Sequence, residues 1–224
     1  MAPRRSDSTR LEALSDGVFA FAATLLVVSL QVPETFEALL ADLSGFGAFA
    51  VSFGALLLIW AVHNAFFKRY GLEDAWIQVL NGWLLFVVLF YVFPLKFVAA
   101  GVSAFVFGVG AARGAAMIGS MDELSLLFQL YGLGFVLIFA TFALMYRHAS
   151  RRATVLALDA HELHEAHMLK RHYAIFALVG ALSIVAARLG IGLQVGFPGW
   201  MYGLLGPLCW AHGAWSDRAR VATA

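Results

Sequence analysis

The sequence has a single cysteine, Cys209, in 224 residues. No intrachain disulfide can therefore form, and no thiol-rich metal site can be assembled. Charge is almost as scarce. Asp, Glu, Lys and Arg together make up 13% of the chain and leave a formal net charge of +1. No basic stripe of the kind that nucleic acid requires is present, so no nucleic-acid partner is expected. Proline is rare too. Four of the five residues, Pro33, Pro94, Pro198 and Pro207, fall near the ends of long apolar runs or inside the last one. The groups of an active site are also missing: no nucleophile–base pair, paired acids or phosphate loop can be found, which argues against an enzyme and against any cofactor.

Apolar residues are what the chain does have, at 62% of its composition and a mean hydropathy of +0.82. A soluble chain of this size could not cover so much apolar surface with so few charges, whereas in a bilayer lipid takes the place of water. A helix needs about 20 apolar residues to span the hydrocarbon. Six stretches meet or approach that length, at about 16–32, 46–67, 76–98, 124–146, 173–189 and 195–215. Backbone amides cannot go unpaired in lipid, and no barrel-like alternation is seen. The expectation is an all-α protein with a single six-helix transmembrane domain over residues 1–224. The first run follows a basic segment without a small-residue cleavage site, so it reads as a retained helix and not a signal peptide. The connection over 99–123 is long and fairly apolar, and the sequence leaves its structure open.

The bases set the orientation. With the N-terminus in the cytoplasm, twelve of the fifteen Lys and Arg fall on the inner side, leaving Lys96, Arg113 and Arg188 outside. The first outer loop carries Glu34, Glu37 and Asp42 and no base. Both termini are expected inside. Trp60, Trp76, Trp83, Trp200, Trp210 and Trp215 lie mostly near helix ends, as an interfacial aromatic belt does.

Polar residues inside apolar runs need partners. Arg10, Ser15 and Asp16 open the first run, His63 and Asn64 lie at the inner end of the second, and Asn81 lies in the third. Taken alone, the first three could be ordinary helix-start chemistry, with Ser15 or Asp16 as a cap and Arg10 among headgroups. Polar groups at one depth on three helices point instead to a single hydrogen-bonded network.

The run Arg10-x-x-x-Leu14-Ser15-Asp16, followed by Gly-Val-Phe-Ala-Phe-Ala-Ala-Thr, resembles the first helix of the transmembrane protein 175 family, lysosomal and prokaryotic potassium channels without a TVGYG filter. The family pattern has phenylalanine where this chain has Leu14. Trp60, His63, Asn64 and Phe66 resemble the second helix; Asn81, with Pro94 further on, resembles the third. The likeness spans roughly residues 10–98. It implies a homotetramer of six-helix subunits whose first helices line a central pore, in the plasma membrane of a bacterium, with potassium as the permeant ion. It also implies a hydrophobic constriction on the first helix at Phe21, a position that is usually aliphatic in the family, with Thr24 nearby.

Gly17, Phe21, Thr24, Val28 and Gln31 recur at steps of four, three, four and three, which places them on one helix face. By spacing alone helix–helix packing is the better reading of this stripe and a pore the alternative, with Thr24 bonding its own backbone. The resemblance turns the reading toward a pore in which four phenylalanines form a plug that could gate by dewetting.

His161, His164, Glu165 and His167 sit at helical spacing in a charged segment, without the HExxH order of zinc proteases. A solvated connector is the simpler reading, with metal binding or pH sensing as the alternative. No metal site is expected. The sequence thus favours a monovalent cation channel that prefers potassium, whose partners are the bilayer, copies of itself and monovalent cations. A secondary transporter and a non-conducting scaffold remain as rivals. A transporter would usually show a mid-membrane acid or paired broken helices, and no such acid is found.

Overall fold

A computed structural model describes residues 10–28, 35–36, 46–107 and 119–221. Among the described residues all regular structure is helical. The described residues form six long helices: α1 (Arg10–Val28), α2 (Phe46–Tyr70), α3 (Ala75–Phe107), α4 (Met121–Arg151), α5 (Ala160–Arg188) and, after the four-residue α6 (Phe197–Trp200), α7 (Leu205–Val221). Four of them, α2 to α5, contain stretches long and apolar enough to cross a membrane.

The boundaries depart from the expected spans for a common reason. Apolar length decides what can sit in lipid, but backbone hydrogen bonding decides where a helix ends, so charged turns continue beyond the apolar window. α1 starts at Arg10 instead of Asp16. α3 continues through Pro94 to Phe107, taking in part of the unassigned connection, while residues 108–118 lie outside the described residues. α5 starts thirteen residues earlier than expected because Asp159 caps it. The Asp159 carboxylate accepts the Glu162 N–H at 2.8 Å, and Glu162 accepts the Asp159 N–H at 3.0 Å, a reciprocal capping box. The histidine segment is thus the first part of α5 and not a separate connector. The last expected span, 195–215, is broken. Gly192 and Gly196 take φ values of 61° and 67°, which end the regular turn, and short helical pieces lead into α7. Pro207 falls in the first turn of α7, where its missing N–H costs nothing.

The chain forms two compact units. The first holds α1, α2, α3 from Asn81 on and the start of α4 to Leu127. In it α1 packs on α2 through Ser15, Phe19, Ala22 and Leu26, all buried at helical spacing. α2 answers with Leu56, Ile59, His63, Phe66 and Phe67. Phe86, Phe90 and Phe93 on α3 stay exposed. In water that stripe would drive aggregation; in a bilayer it faces a solvent of its own kind. Lipid gives apolar helices no hydrophobic reason to associate, so close fit and polar contacts must hold this unit together.

The second unit holds Leu72–Leu80 and the chain from Phe128 on. Glycines bring α4 and α5 close: a Cβ at Gly132 would lie 2.6 Å from Ile184 Cγ1, and one at Gly180 2.9 Å from Val136 Cγ2. Phe135, Phe139, Phe142, Tyr173, Phe176 and Tyr202 form the aromatic core beside this contact. Ser183 Oγ, fully buried, donates to the Pro198 carbonyl at 2.8 Å and ties the broken segment to α5.

Candidate functional site

Three of the six expected network residues meet directly. Asn81 Nδ2 donates to Ser15 Oγ at 2.9 Å, and His63 Nε2 lies 2.7 Å from Asn81 Oδ1. With its amide nitrogen on Ser15, Asn81 turns its oxygen to His63 and can only accept there, so His63 carries its hydrogen on Nε2. Ser15 Oγ in turn donates to the Leu11 carbonyl at 2.8 Å. The result is a one-way relay from α2 through α3 to α1, with each internal group both accepting and donating. Ser15 and Asn81 have no exposed surface and His63 only 2%. Phe19 and Phe67 hold the imidazole between them, with ring centroids 5.5 and 4.6 Å away.

The other expected members stand apart. Asp16, one residue on and so about 100° round the helix from Ser15, is exposed and accepts from Trp60 Nε1 at 2.8 Å. Arg10 is exposed on the first turn of α1. Because α1 is already helical there, Arg10 falls roughly 120° from Asp16 and cannot join it on one face. Asn64 is half-buried, next in sequence to His63 and turned from it by the same 100°. Trp60 is therefore more than a belt residue: its indole links α2 to α1. Its position three residues before His63 was the available signal, since residues three apart share a helix side.

The expected stripe lies opposite the buried face of α1. Taking Ser15 as zero, the buried residues Phe19, Ala22 and Leu26 fall within about 40° of it, whereas Gly17, Phe21 and Thr24 fall between about 180° and 240°. Phe21 is 56% exposed, Thr24 is exposed, and a Cβ built on Gly17 would meet nothing within 4 Å. Thr24 Oγ1 donates to the Ala20 carbonyl at 2.9 Å, so its oxygen lone pairs are left for another partner. Val28 is the last residue of α1, and Gln31 lies outside the described residues. In the second unit the exposed His161 approaches the half-buried Glu165 at 3.9 Å near the start of α5.

The chain superposes on a crystal structure of a threonine-to-alanine variant of the potassium channel MtTMEM175, in complex with a nanobody–MBP fusion protein, with a TM-score of 0.83 and 33% identity over 97% of both chains. It belongs to the TMEM175 family. The family model described as endosomal/lysosomal potassium channel TMEM175 matches residues 10–91, a span that contains the whole relay, Trp60 and the α1 stripe. A potassium channel of Marivirga tractuosa is 42% identical over 165 residues, covering 71% of this chain and 66% of that one. A TMEM175 homologue from Chamaesiphon minutus, solved as a lysosomal potassium-selective channel homologue, shares the fold at a TM-score of 0.60 and 23% identity, over 93% of this chain and 97% of that one. TMEM175 is a family of membrane channels and not of enzymes.

Proposed function

We propose that this chain is one subunit of a homotetrameric potassium channel in a bacterial plasma membrane, with six membrane-crossing helices, both termini in the cytoplasm and α1 lining the pore. The observation that carries this reading is the geometry of α1: one face is anchored by the relay and by Phe19, Ala22 and Leu26, while the opposite face, with Gly17, Phe21 and Thr24, is left open. Four copies arranged about an axis would turn these open faces inward and form a ring of phenyls followed, one turn on, by a ring of hydroxyls. The phenyl ring would exclude water and raise the cost of passing an ion that holds its hydration shell tightly. Thr24, whose proton is engaged with Ala20, would present oxygen to the ion. Sodium is more strongly hydrated than potassium, so potassium is favoured, and no cofactor or chemical step is needed. The potassium-channel relatives support this assignment of the ion.

Single-channel recording of the reconstituted protein in mixed potassium and sodium tests the reading. Unitary currents with a reversal potential on the potassium side are expected. Coupled uptake without unitary currents would make the protein a transporter, and neither would make it a scaffold.

A further inference from the structure

The basic end of α4 carries a pocket that contains none of the residues assigned to the pore. It has a volume of about 280 Å³ and is lined by Trp76, Leu144, Arg147, His148 and Arg151, all in the second unit. Arg147 and Arg151 are four residues apart, so their side chains leave the same side of α4, where like charges repel. Both are exposed, and among the described residues no acid pairs with either. Asp74 does not relieve them. Its Oδ2 lies 2.6 Å from His148 Nε2 and 3.5 Å from Arg152, and its Oδ1 accepts the Ile77 N–H at 3.0 Å. Its charge is spent on His148, Arg152 and the first turn of α3. The pocket is left with two guanidinium groups that want an anion. The carbonyls at the end of α4 attract these bases in part, but carry only a fraction of a charge.

The other wall differs in kind. Leu144 lies one turn back from Arg147, toward the apolar span, and Trp76 offers an indole at the start of α3. A cationic mouth beside an apolar wall, at the depth where a membrane helix reaches water, has the pattern of a headgroup site with an acyl chain beside it. The guanidinium fork matches two phosphate oxygens at once, which an ammonium cannot do.

We infer that this pocket binds an anionic phosphate group, supplied by a lipid headgroup or by a free phosphate. The inference goes beyond conduction and does not depend on it. Native mass spectrometry of the purified channel, titrated with phosphatidylglycerol or phosphatidylcholine, tests it. Phosphatidylglycerol adducts should exceed phosphatidylcholine adducts in the wild type. Each arginine should contribute about five-fold to binding, the effect of one base near a membrane surface, so R147Q/R151Q should bind roughly 25-fold more weakly. R147K/R151K keeps the charge but loses the fork, and should fall between the two. Arg188→Gln, at the other end of α5, controls for loss of a base and should change nothing. Millimolar inorganic phosphate that displaces the lipid from the wild type would identify a free anion as a competent occupant. Lipid retained in its presence would assign the pocket to headgroups. Equal binding of both lipids, or undiminished phosphatidylglycerol binding by R147Q/R151Q, would overturn the inference.

Discussion

Asn81 on α3 and Ser15 on α1, 66 positions apart in sequence, share a 2.9 Å hydrogen bond with no surface of either residue exposed. In a bundle held by fit, a bond of this kind fixes the depth of one helix against another. Its loss should therefore be visible in stability. Ser15→Ala leaves the Asn81 amide without an acceptor and should cost about 1–3 kcal/mol, the penalty for orphaning a buried donor. Asn81→Ala strips a partner from both His63 and Ser15 and should cost more. Thermal unfolding in detergent, followed through a double-mutant cycle, checks both. Costs that simply add would mean the two residues are not coupled.

Asp16 should matter much less to folding than a carboxylate buried with an arginine would. It is exposed and holds one hydrogen bond, from Trp60. Trp60→Phe and Asp16→Asn should each lower stability by about 1 kcal/mol or less. A melting loss several times larger for either would show that the contact is shielded from water in the assembled protein.

The α1 stripe separates pore from packing. Phe21→Ala should widen the plug, remove its dewetting barrier and raise unitary conductance. Thr24→Ala should shift the reversal potential in mixed potassium and sodium toward zero, with little effect on melting, since its hydroxyl bonds only its own helix. If neither substitution changes conductance or reversal potential, the ion path does not run along this face.

Asp74 gives the second unit a pH dependence. Burial raises its carboxyl pKa, but the His148 hydrogen bond, the Ile77 N–H and the charges of His148 and Arg152 outweigh it, and the net shift is downward. A depressed folded-state pKa stabilises above the unfolded value of about 3.9, and that contribution disappears as pH falls through the lower folded value. The wild-type melting temperature should decline more steeply than that of Asp74→Asn as the pH falls below about 5. Parallel curves would sink this assignment.

The relay was legible in sequence because Ser15, His63 and Asn81 are polar groups set in or beside apolar runs, where each must find a partner. Its exact membership was not. Whether Asp16 and Arg10 join depends on the rotation of α1, and that follows from a helix start at Arg10 which apolar content does not reveal. Tryptophan near a helix end in a membrane protein is explained by an interfacial belt, so the partner role of Trp60 does not stand out in the sequence. The Asp74–His148 pair escaped for another reason: 74 positions separate the two residues, and neither breaks an apolar run. The extension of α5 was signalled by Asp159 and Glu162 at capping-box spacing, but a search for apolar length passes over it.

The one-way sense of the relay restricts what can occupy its middle. Position 15 must accept from Asn81 and donate to the Leu11 carbonyl within the space of a small side chain. Among the amino acids, serine and threonine do both well, while alanine, glycine and valine do neither. Position 81 must offer an acceptor on one side and a donor on the other. Asparagine meets this with a single rigid amide, whereas an ionised aspartate accepts on both sides and would set two acceptors against each other at Ser15 unless the serine proton abandoned Leu11. A randomised library at these two positions, selected for folded protein, should return a very short alphabet, with its choices linked in pairs.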